Sequence, residues 1–427
     1  MTGTAGRPSP QAAFAEWVAA CAEAGWRPGQ VAEQVSVHDA LGRVSAAAAR
    51  ARWPSPRFDC AAMDGIAITA GLAGGGLADG GQVVLPDSAF TWVDTGDPMP
   101  PGADTVVERE RVEISAGGAL VTGPVTRGRH VRASGEDFRA GELLIPAGRR
   151  LRPADLSAAA AAGYAALAVA RQPHVAIIPT GDEIRPVGSV LGPGEFTDSN
   201  SVMLAARAAQ AGAVPVVTDV QPDDPDILAA AVRDAALTAD LVLVIAGSSR
   251  GRGDCTAAVL EQVGFLAVQG VAVRPGHPVL LGHVKPARSG YVPPGGARAG
   301  RPAGAVPAVG VPGYPLAAAV IFELFAVPLI AQLQGSASPD RAPLQAVLDR
   351  DWASAPDVED WIPVALTARD PEDPPGGLVL VASPSSGHGA GAISRLVRAN
   401  AWWPVPIGQG RFAAGDRIEV LPIPPSA

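Results

Sequence analysis

The sequence predicts a multidomain α/β plus β protein: a three-layer α/β domain, a β-rich insertion domain and a C-terminal β-barrel-like domain. Three observations predict it. The chain is 427 residues long, more than one ordinary core accommodates. Residues 172–335 alternate apolar strands with helical patterns, as a largely parallel sheet with helices on its faces requires. Residues 57–126 and 343–427 carry short β runs broken by Gly and Pro. Hydrophobic residues make up 48% and charged residues 18%, a globular balance, and a net charge of −9 argues against nucleic acid as the main ligand.

Residues 10–25 read as a helix, with Phe14, Val18 and Cys21 at helical spacing. Residues 34–50 read as a strand, the turn Leu41-Gly42-Arg43, and a second strand or extended link. Residues 127–147 return towards this first segment. We therefore group 10–56 with 127–171 as a discontinuous linker domain, with 57–126 inserted into it. Residues 156–170 are Ala-rich, contain Gly163 and fall short of the ~20 residues of a membrane span, so they read as a core helix running into a strand. The first residues show no signal-peptide pattern, and Cys21, Cys60 and Cys255 are widely spaced, without metal-ligand or disulfide-framework spacing. A cytoplasmic protein is expected.

In the α/β domain, strands are expected at 174–179, 213–220, 240–246, 266–273, 278–283 and 306–311. Helices are expected at 200–211, 225–238, 254–263 and 314–333. Residues 285–305, rich in Gly, Pro and Arg, read as a flexible surface loop. From residue 344 onward, short strands and turns with several Pro suggest a barrel.

Chemistry concentrates at strand ends. The run VAIIPTGDEI (175–184) ends in a Gly turn bearing Thr180, Asp182 and Glu183, where ligands of open α/β sheets bind. Adjacent carboxylates there can hold Mg²⁺, although a solvated acidic turn looks the same. The stretch AGSSRGRGD (246–254) joins a strand to a helix. Gly247, Ser248 and Ser249 offer backbone N–H groups to an anion, Arg250 and Arg252 can grip phosphate, and Asp254 either caps the helix or binds metal. Arg274-Pro275-Gly276-His277-Pro278 puts a cation at a tight turn, and Pro312-Gly313 precedes a helix start; either can be structural. In the insertion, Asp59, Asp64, Asp94, Asp97 and Asp104 stand in ordinary turn contexts. His130, His174 and His388 read as structural residues.

Taken together, these segments resemble the molybdopterin molybdenumtransferase family, also represented by the E domain of gephyrin. FDCAAMDGIAI resembles FDNSAMDGYAV, and VDTGDPMPPGADTVVERE resembles TGAPLPEGADAVV. SGEDFRAGELLIPAGRRL resembles GEDV…G…L…G, and PTGDEI resembles STGDEL. GVAVRPGHPVLLG resembles GVAMKPGKPL, VGVPGYPLAAAVIFELF resembles GLPGNPVSALVTFEL, and ISRLVRAN resembles LSSLARAN. The matches keep one order over nearly the whole chain.

The resemblance implies insertion of molybdate into adenylylated molybdopterin, with molybdenum cofactor and AMP as products and Mg²⁺ assisting. It also implies an elongated homodimer of four-domain chains, in which the active cleft joins the α/β domain of one subunit to the insertion of the other. Other cofactor-assembly proteins or molybdoenzymes are candidate partners, and neither nucleic acid nor membrane is expected. Asp64, Thr95, Glu183 and Asp254 match the family's functional positions and are assigned to catalysis. Asp137 and the pair Asp223-Asp224 match less closely. Asp182, Glu183 and Asp254 are the metal candidates. Gly247, Ser248, Ser249, Arg250, Arg252, Arg274, His277, Pro312, Gly313 and Ser394 are the substrate-binding candidates.

The chain also departs from the family. Two lysines around Pro-Gly are Arg274 and His277, SGGVSVG is replaced by AGSSRGRGD, PGNP becomes PGYP, and Cys60 replaces Asn. Arg keeps the charge without the point geometry of Lys, and His is mostly neutral at pH 7. Arg250 and Arg252 are expected to restore the lost cationic character. The alternatives are a non-catalytic cofactor carrier or scaffold, and an insertase using tungstate.

Overall fold

The computed structural model describes residues 6–28, 31–73, 81–115, 117–246, 255–285, 304–336, 342–369, 379–385, 389 and 391–423. The helices among them are α1 (Pro10–Glu23), α2 (Pro153–Ala161), α3 (Asn200–Gln210), α4 (Pro225–Thr238), α5 (Thr256–Val263), α6 (Pro315–Ile321), α7 (Val327–Gln334) and α8 (Ile393–Arg398). The chain folds into two compact units, 33–169 and 1–32 with 170–427.

The unit 33–169 holds several small cores. One gathers Val37, Ala49, Ile145, Leu151, Leu167 and Val169 with Ala159 of α2. Helix α2 starts at Pro153, and the Asp155 carboxylate accepts the Arg152 N–H at 2.9 Å, so a free donor of the first turn is satisfied. Two three-stranded antiparallel sheets supply the β-rich part. Gly65–Ile68 runs between Thr91–Val93 and Thr105–Glu108, and Gly118–Thr122 runs between Gln82–Leu85 and Val112–Ser115. Ile66, Ile68, Leu85, Val107, Ala119 and Val121 form their shared core.

The larger unit begins with α1, capped by Ser9. Sequence pattern alone groups α1 with 127–171. The helix packs instead on the α/β sheet, because Ala13, Trp17 and Cys21 join the buried core of that unit, the Trp17 ring lies edge-on to Phe325, and the Trp17 Nε1–H donates to the Gly282 carbonyl at 2.6 Å. Burial pushes the Cys21 thiol up to about 12, so it is inert at neutral pH.

The sheet comprises β1 (His174–Pro179), β2 (Val214–Val217), β3 (Leu241–Ala246), β4 (Gly264–Gln269), β5 (Leu280–Val284) and β6 (Val306–Pro312), in the order β2-β1-β3-β6-β5-β4. β2, β1, β3 and β6 run parallel, whereas β5 is antiparallel to β6 and β4. β3 and β6 are buried along their whole length and β1 from Val175 onward, which explains their unbroken apolar sequences.

Two elements depart from expectation. The expected strand 266–273 stops at Gln269, because Gly270 takes φ +83° and turns the chain. Val273 and Arg274 then pair with a different sheet. The expected helix 314–333 contains a π turn at Phe322–Ala326 between α6 and α7. Pro328 lacks the N–H that would meet the Leu324 carbonyl, so the regular ladder is interrupted there. This 20-residue run is long and apolar enough to cross a membrane, but most of it is buried inside the protein as a core helix.

The C-terminal region forms a closed five-stranded barrel. Its strands are β7 (Leu344–Leu348), β8 (Glu359–Arg369), β9 (Val379–Pro384), β10 (Ala401–Val405) and β11 (Arg417–Pro422). They pair in the ring β8-β9-β7-β11-β10-β8, filled by Ile362, Val364, Trp403, Val405 and Val420. The Val273–Arg274 strand joins the barrel in parallel on β8, with Arg274 opposite Asp360.

Candidate functional site

Three parallel strands end side by side. Pro179 at the end of β1 pairs with Ile245 of β3, and Ala246 pairs with Pro312 of β6. Thr180 locks the first pair, since its N–H and its hydroxyl both donate to the Ile245 carbonyl, at 3.0 and 2.9 Å. The carboxyl ends of such strands form the ligand-facing edge of an open sheet.

Gly181 follows with φ +132°, a left-handed backbone that side chains disfavour. An added Cβ would sit 2.8 Å from Ile184 and 3.1 Å from the Glu183 carboxylate oxygens. The turn therefore fixes where Asp182 and Glu183 project, and both are exposed. Asp182 accepts the Asp223 N–H at 3.2 Å. The adjacent cation, Arg185, is committed to Glu195 at 2.7 Å. Among the described residues neither Asp182 nor Glu183 makes an ion pair. Such a pair of open hard-oxygen donors fits Mg²⁺, which takes one or two carboxylates and completes its shell with phosphate oxygens and water. No group of three or more His, Cys, Asp or Glu side chains converges for a metal among the described residues.

Gly247, Ser248, Ser249, Arg250, Arg252 and Asp254 lie outside the described residues, as do His388 and nearly all of 285–305. The strand before the first of these segments ends at Ala246, beside Thr180 and Pro312. Pro312 is buried, and the exposed Gly313 presents its carbonyl to the Asn200 Nδ2–H at 2.6 Å. Asn200 opens α3 and is buried, and its Oδ1 has no partner among the described residues. Sequence reasoning missed it; the available signal was the polar run Asp198-Ser199-Asn200 at a helix start.

The Arg274 turn is built differently. Gly276 takes φ +113°, and an added Cβ would meet the Ile321 side chain of α6 at 2.8 Å. Arg274 does not project freely. Its Nε donates to Asp360 Oδ1 at 3.2 Å, its Nη2 donates to Oδ2, and the Ser354 hydroxyl also donates to Asp360. Asp360 is almost wholly buried and holds the Arg274 guanidinium above its usual range. His277 is exposed at the same turn. Ser394 is exposed in the first turn of α8. Asp360 was missed because its link to Arg274 spans 86 positions and arises from strand register.

In the other unit, the Thr95 N–H and hydroxyl both donate to Asp64 Oδ1 at 2.7 Å. These bonds hold the Asp64 carboxyl below the usual range, with Arg109 adding a smaller pull. Gly65 is obligatory beside it, since a Cβ would fall 1.9 Å from the Val107 carbonyl oxygen. Several other acids serve structure. Asp59 accepts the Ser134 N–H, Asp104 accepts the Ala70 N–H, and Asp224 caps α4 through the Asp226 and Ile227 N–H groups. The Asp137 N–H donates to the Ser55 carbonyl. His130 contacts Glu108 at 2.6 Å, and His174 starts β1.

Comparisons with known proteins bear on this arrangement. Residues 10–163 match the family described as MoeA N-terminal region (domain I and II), and 345–423 match the MoeA C-terminal region (domain IV). Between them, 176–332 match a probable molybdopterin binding domain. Molybdopterin molybdenumtransferase 2 of Mycobacterium tuberculosis is 31% identical over 391 residues, covering 86% of this chain and 88% of the relative. The molybdopterin molybdenumtransferase of a Nostoc species is 28% identical, covering 92% and 89%. The crystal structure of a molybdopterin biosynthesis MoeA protein from Pyrococcus horikoshii superposes with a TM-score of 0.76 at 26% identity, covering 97% and 99% of the two chains.

Proposed function

This chain belongs to the MoeA family of molybdopterin molybdenumtransferases, and from that premise we propose that it inserts molybdate into adenylylated molybdopterin, releasing AMP. It is a transferase of molybdenum cofactor biosynthesis. The observation that carries the reading is the side-by-side ending of β1, β3 and β6, with the matched motifs PTGDEI and VGVPGYP at the ends of β1 and β6.

Glu183 and Asp182, with Asp254, would hold Mg²⁺, which supplies charge neutralisation at the phosphate oxygens. Gly181 fixes the direction in which the two carboxylates project. Thr180 keeps the ends of β1 and β3 in register, which holds the Asp182–Glu183 turn at the ligand-facing edge of the sheet. Gly247, Ser248 and Ser249 would cradle the phosphate through backbone N–H groups. Arg274, oriented by Asp360, offers its remaining N–H groups to the oxyanion, with His277, Arg250 and Arg252 adding cationic character and Ser394 a hydroxyl. In the insertion, Asp64 stays ionised because Thr95 donates twice to it, and it serves as the acid matched to the family's functional position. We also assign a homodimer, which sedimentation velocity reads directly.

The test is AMP release from adenylylated molybdopterin by purified protein, with and without molybdate, beside Asp254→Asn. Molybdate-dependent release that the variant loses supports the reading. Ligand retained without any release overturns it. The same assay with tungstate tests the alternative oxyanion.

A further inference from the structure

A half-buried cation near the Arg274–Asp360 pair keeps a buried donor without an acceptor among the described residues. Arg395 lies in α8, which packs against both α6 and β8. Its Nε is buried without an acceptor among the described residues. Among the described residues its Nη2 donates to the Ser385 carbonyl alone, at 3.4 Å. Burial pushes its guanidinium down, and the nearby Asp360 carboxylate pulls it back up. Asp360, however, already accepts from Arg274 and from the Ser354 hydroxyl. The stretch that carries Arg395, residues 379–400, contains no Asp or Glu at all. Asp360 thus acts on both guanidiniums and Asp357 adds its charge to Arg274, yet the buried Arg395 Nε–H is left without an acceptor among the described residues. A buried donor without an acceptor is costly unless an anion completes it.

We propose that Arg395 is a further binding residue for a tetrahedral oxyanion, completing with Arg274 a two-guanidinium site beside Asp360. The inference rests on the reading of Arg274 under the proposed function and extends it to a residue outside the matched motif positions. The motif LSSLARAN has Ser where this chain has Arg395, and a second Lys of the Pro-Gly motif is His277 here. The cation lost from one element is thus regained from another, which approaches the same pair from α8. A guanidinium fork suits an oxyanion because it donates two parallel N–H bonds.

The experiment measures binding of molybdate and of AMP to the full-length protein by equilibrium dialysis, for wild type, Arg395→Ser, Arg395→Lys and Arg274→Gln. Loss of one charge-assisted contact weakens binding by roughly 10- to 100-fold. Arg395→Ser should weaken molybdate binding to that extent, and Arg395→Lys should recover part of it. Weakening confined to AMP keeps Arg395 as an anion ligand and gives it to the nucleotide phosphate. If Arg274→Gln weakens molybdate binding while Arg395→Ser changes neither ligand, this inference falls and the function of Arg274 stands. If neither variant changes either affinity, both fall. A thermal melt separates binding from folding. Removing a half-buried guanidinium whose Nε–H lacks an acceptor among the described residues should leave the melting temperature of Arg395→Ser at or above wild type, while molybdate should raise it less than in wild type.

Discussion

The turns at Gly181 and Gly276 belong to one α/β unit and use the same device, yet they present opposite electrostatics. Each is held by a glycine with a left-handed φ whose missing Cβ leaves room for a neighbour, Ile184 in one case and Ile321 in the other. At Gly181 the two carboxylates stand open, with the adjacent Arg185 occupied by Glu195. At Gly276 the cation is paired in advance, because Arg274 shares its guanidinium with a buried Asp360. The acidic turn is thus suited to receive a cation, whereas the basic turn carries its own anion. Backbone shape alone does not set what a turn binds; the partner that strand pairing brings to it does.

The sharpest way to break this comparison is at the open acid. Glu183→Gln keeps the shape of the turn and removes one charge. AMP release should fall roughly 10²- to 10³-fold, as when a single charge-stabilising group is lost from a catalytic site, with an unchanged melting temperature. Release within a factor of three of wild type would show that the open carboxylate has no catalytic part.

Next come the two glycines. Gly276→Ala forces a Cβ into a left-handed backbone and onto the Ile321 side chain of a packed core helix. Backbone strain of about 1–3 kcal/mol together with overpacking of about 1–3 kcal/mol should lower stability measurably in denaturant titrations. Gly181→Ala meets the half-buried Ile184 side chain and the exposed Glu183 carboxylate, which have room to shift, so strain dominates, and stability should fall by only about 1–3 kcal/mol. Its larger signature should be in kcat, since Glu183 would be pushed from its direction. Equal stability losses in the two variants would erase the distinction between a turn packed on the core and a turn facing ligand.

The same contrast explains what could be read from the sequence. β1, β3 and β6 were legible because fully buried parallel strands must be apolar along their length, and the Thr180 turn was legible because it closes such a run. The ring closure of the barrel followed from its short Pro-broken strands only in outline, since pairing partners are set by register. Arg274 was legible as a cation at a turn. Its pairing with Asp360 was not, because nothing local announces that Val273 and Arg274 leave the α/β sheet to join β8. Gly270 was the available warning, since an isolated glycine in a strand pattern marks a break. Asp224 shows the reverse case: an acid matched less closely to the family by position is the N-cap of α4, a local role.

Asp64 supplies a third case, an acid fixed by neither strand register nor a buried cation but by one threonine. Both Thr95 donors point at the same oxygen, so the ionised form is favoured and the carboxyl titrates below the usual range. The sign of the effect follows. A depressed carboxyl stays charged as pH falls through the range where an ordinary Asp protonates, near 4. Any step that needs ionised Asp64 should therefore persist to lower pH than an unassisted carboxylate would allow. Thr95→Val removes the hydroxyl donor and keeps the backbone N–H, so the carboxyl should rise part of the way back. The acidic limb of the pH profile for AMP release should then move to higher pH, with the rate at neutral pH little changed. An acidic limb that does not move would mean that Asp64 ionisation does not limit the reaction. In that case the Asp64–Thr95 contact is a turn closure, like Asp59 with the Ser134 N–H, and the functional acids are those on the sheet edge.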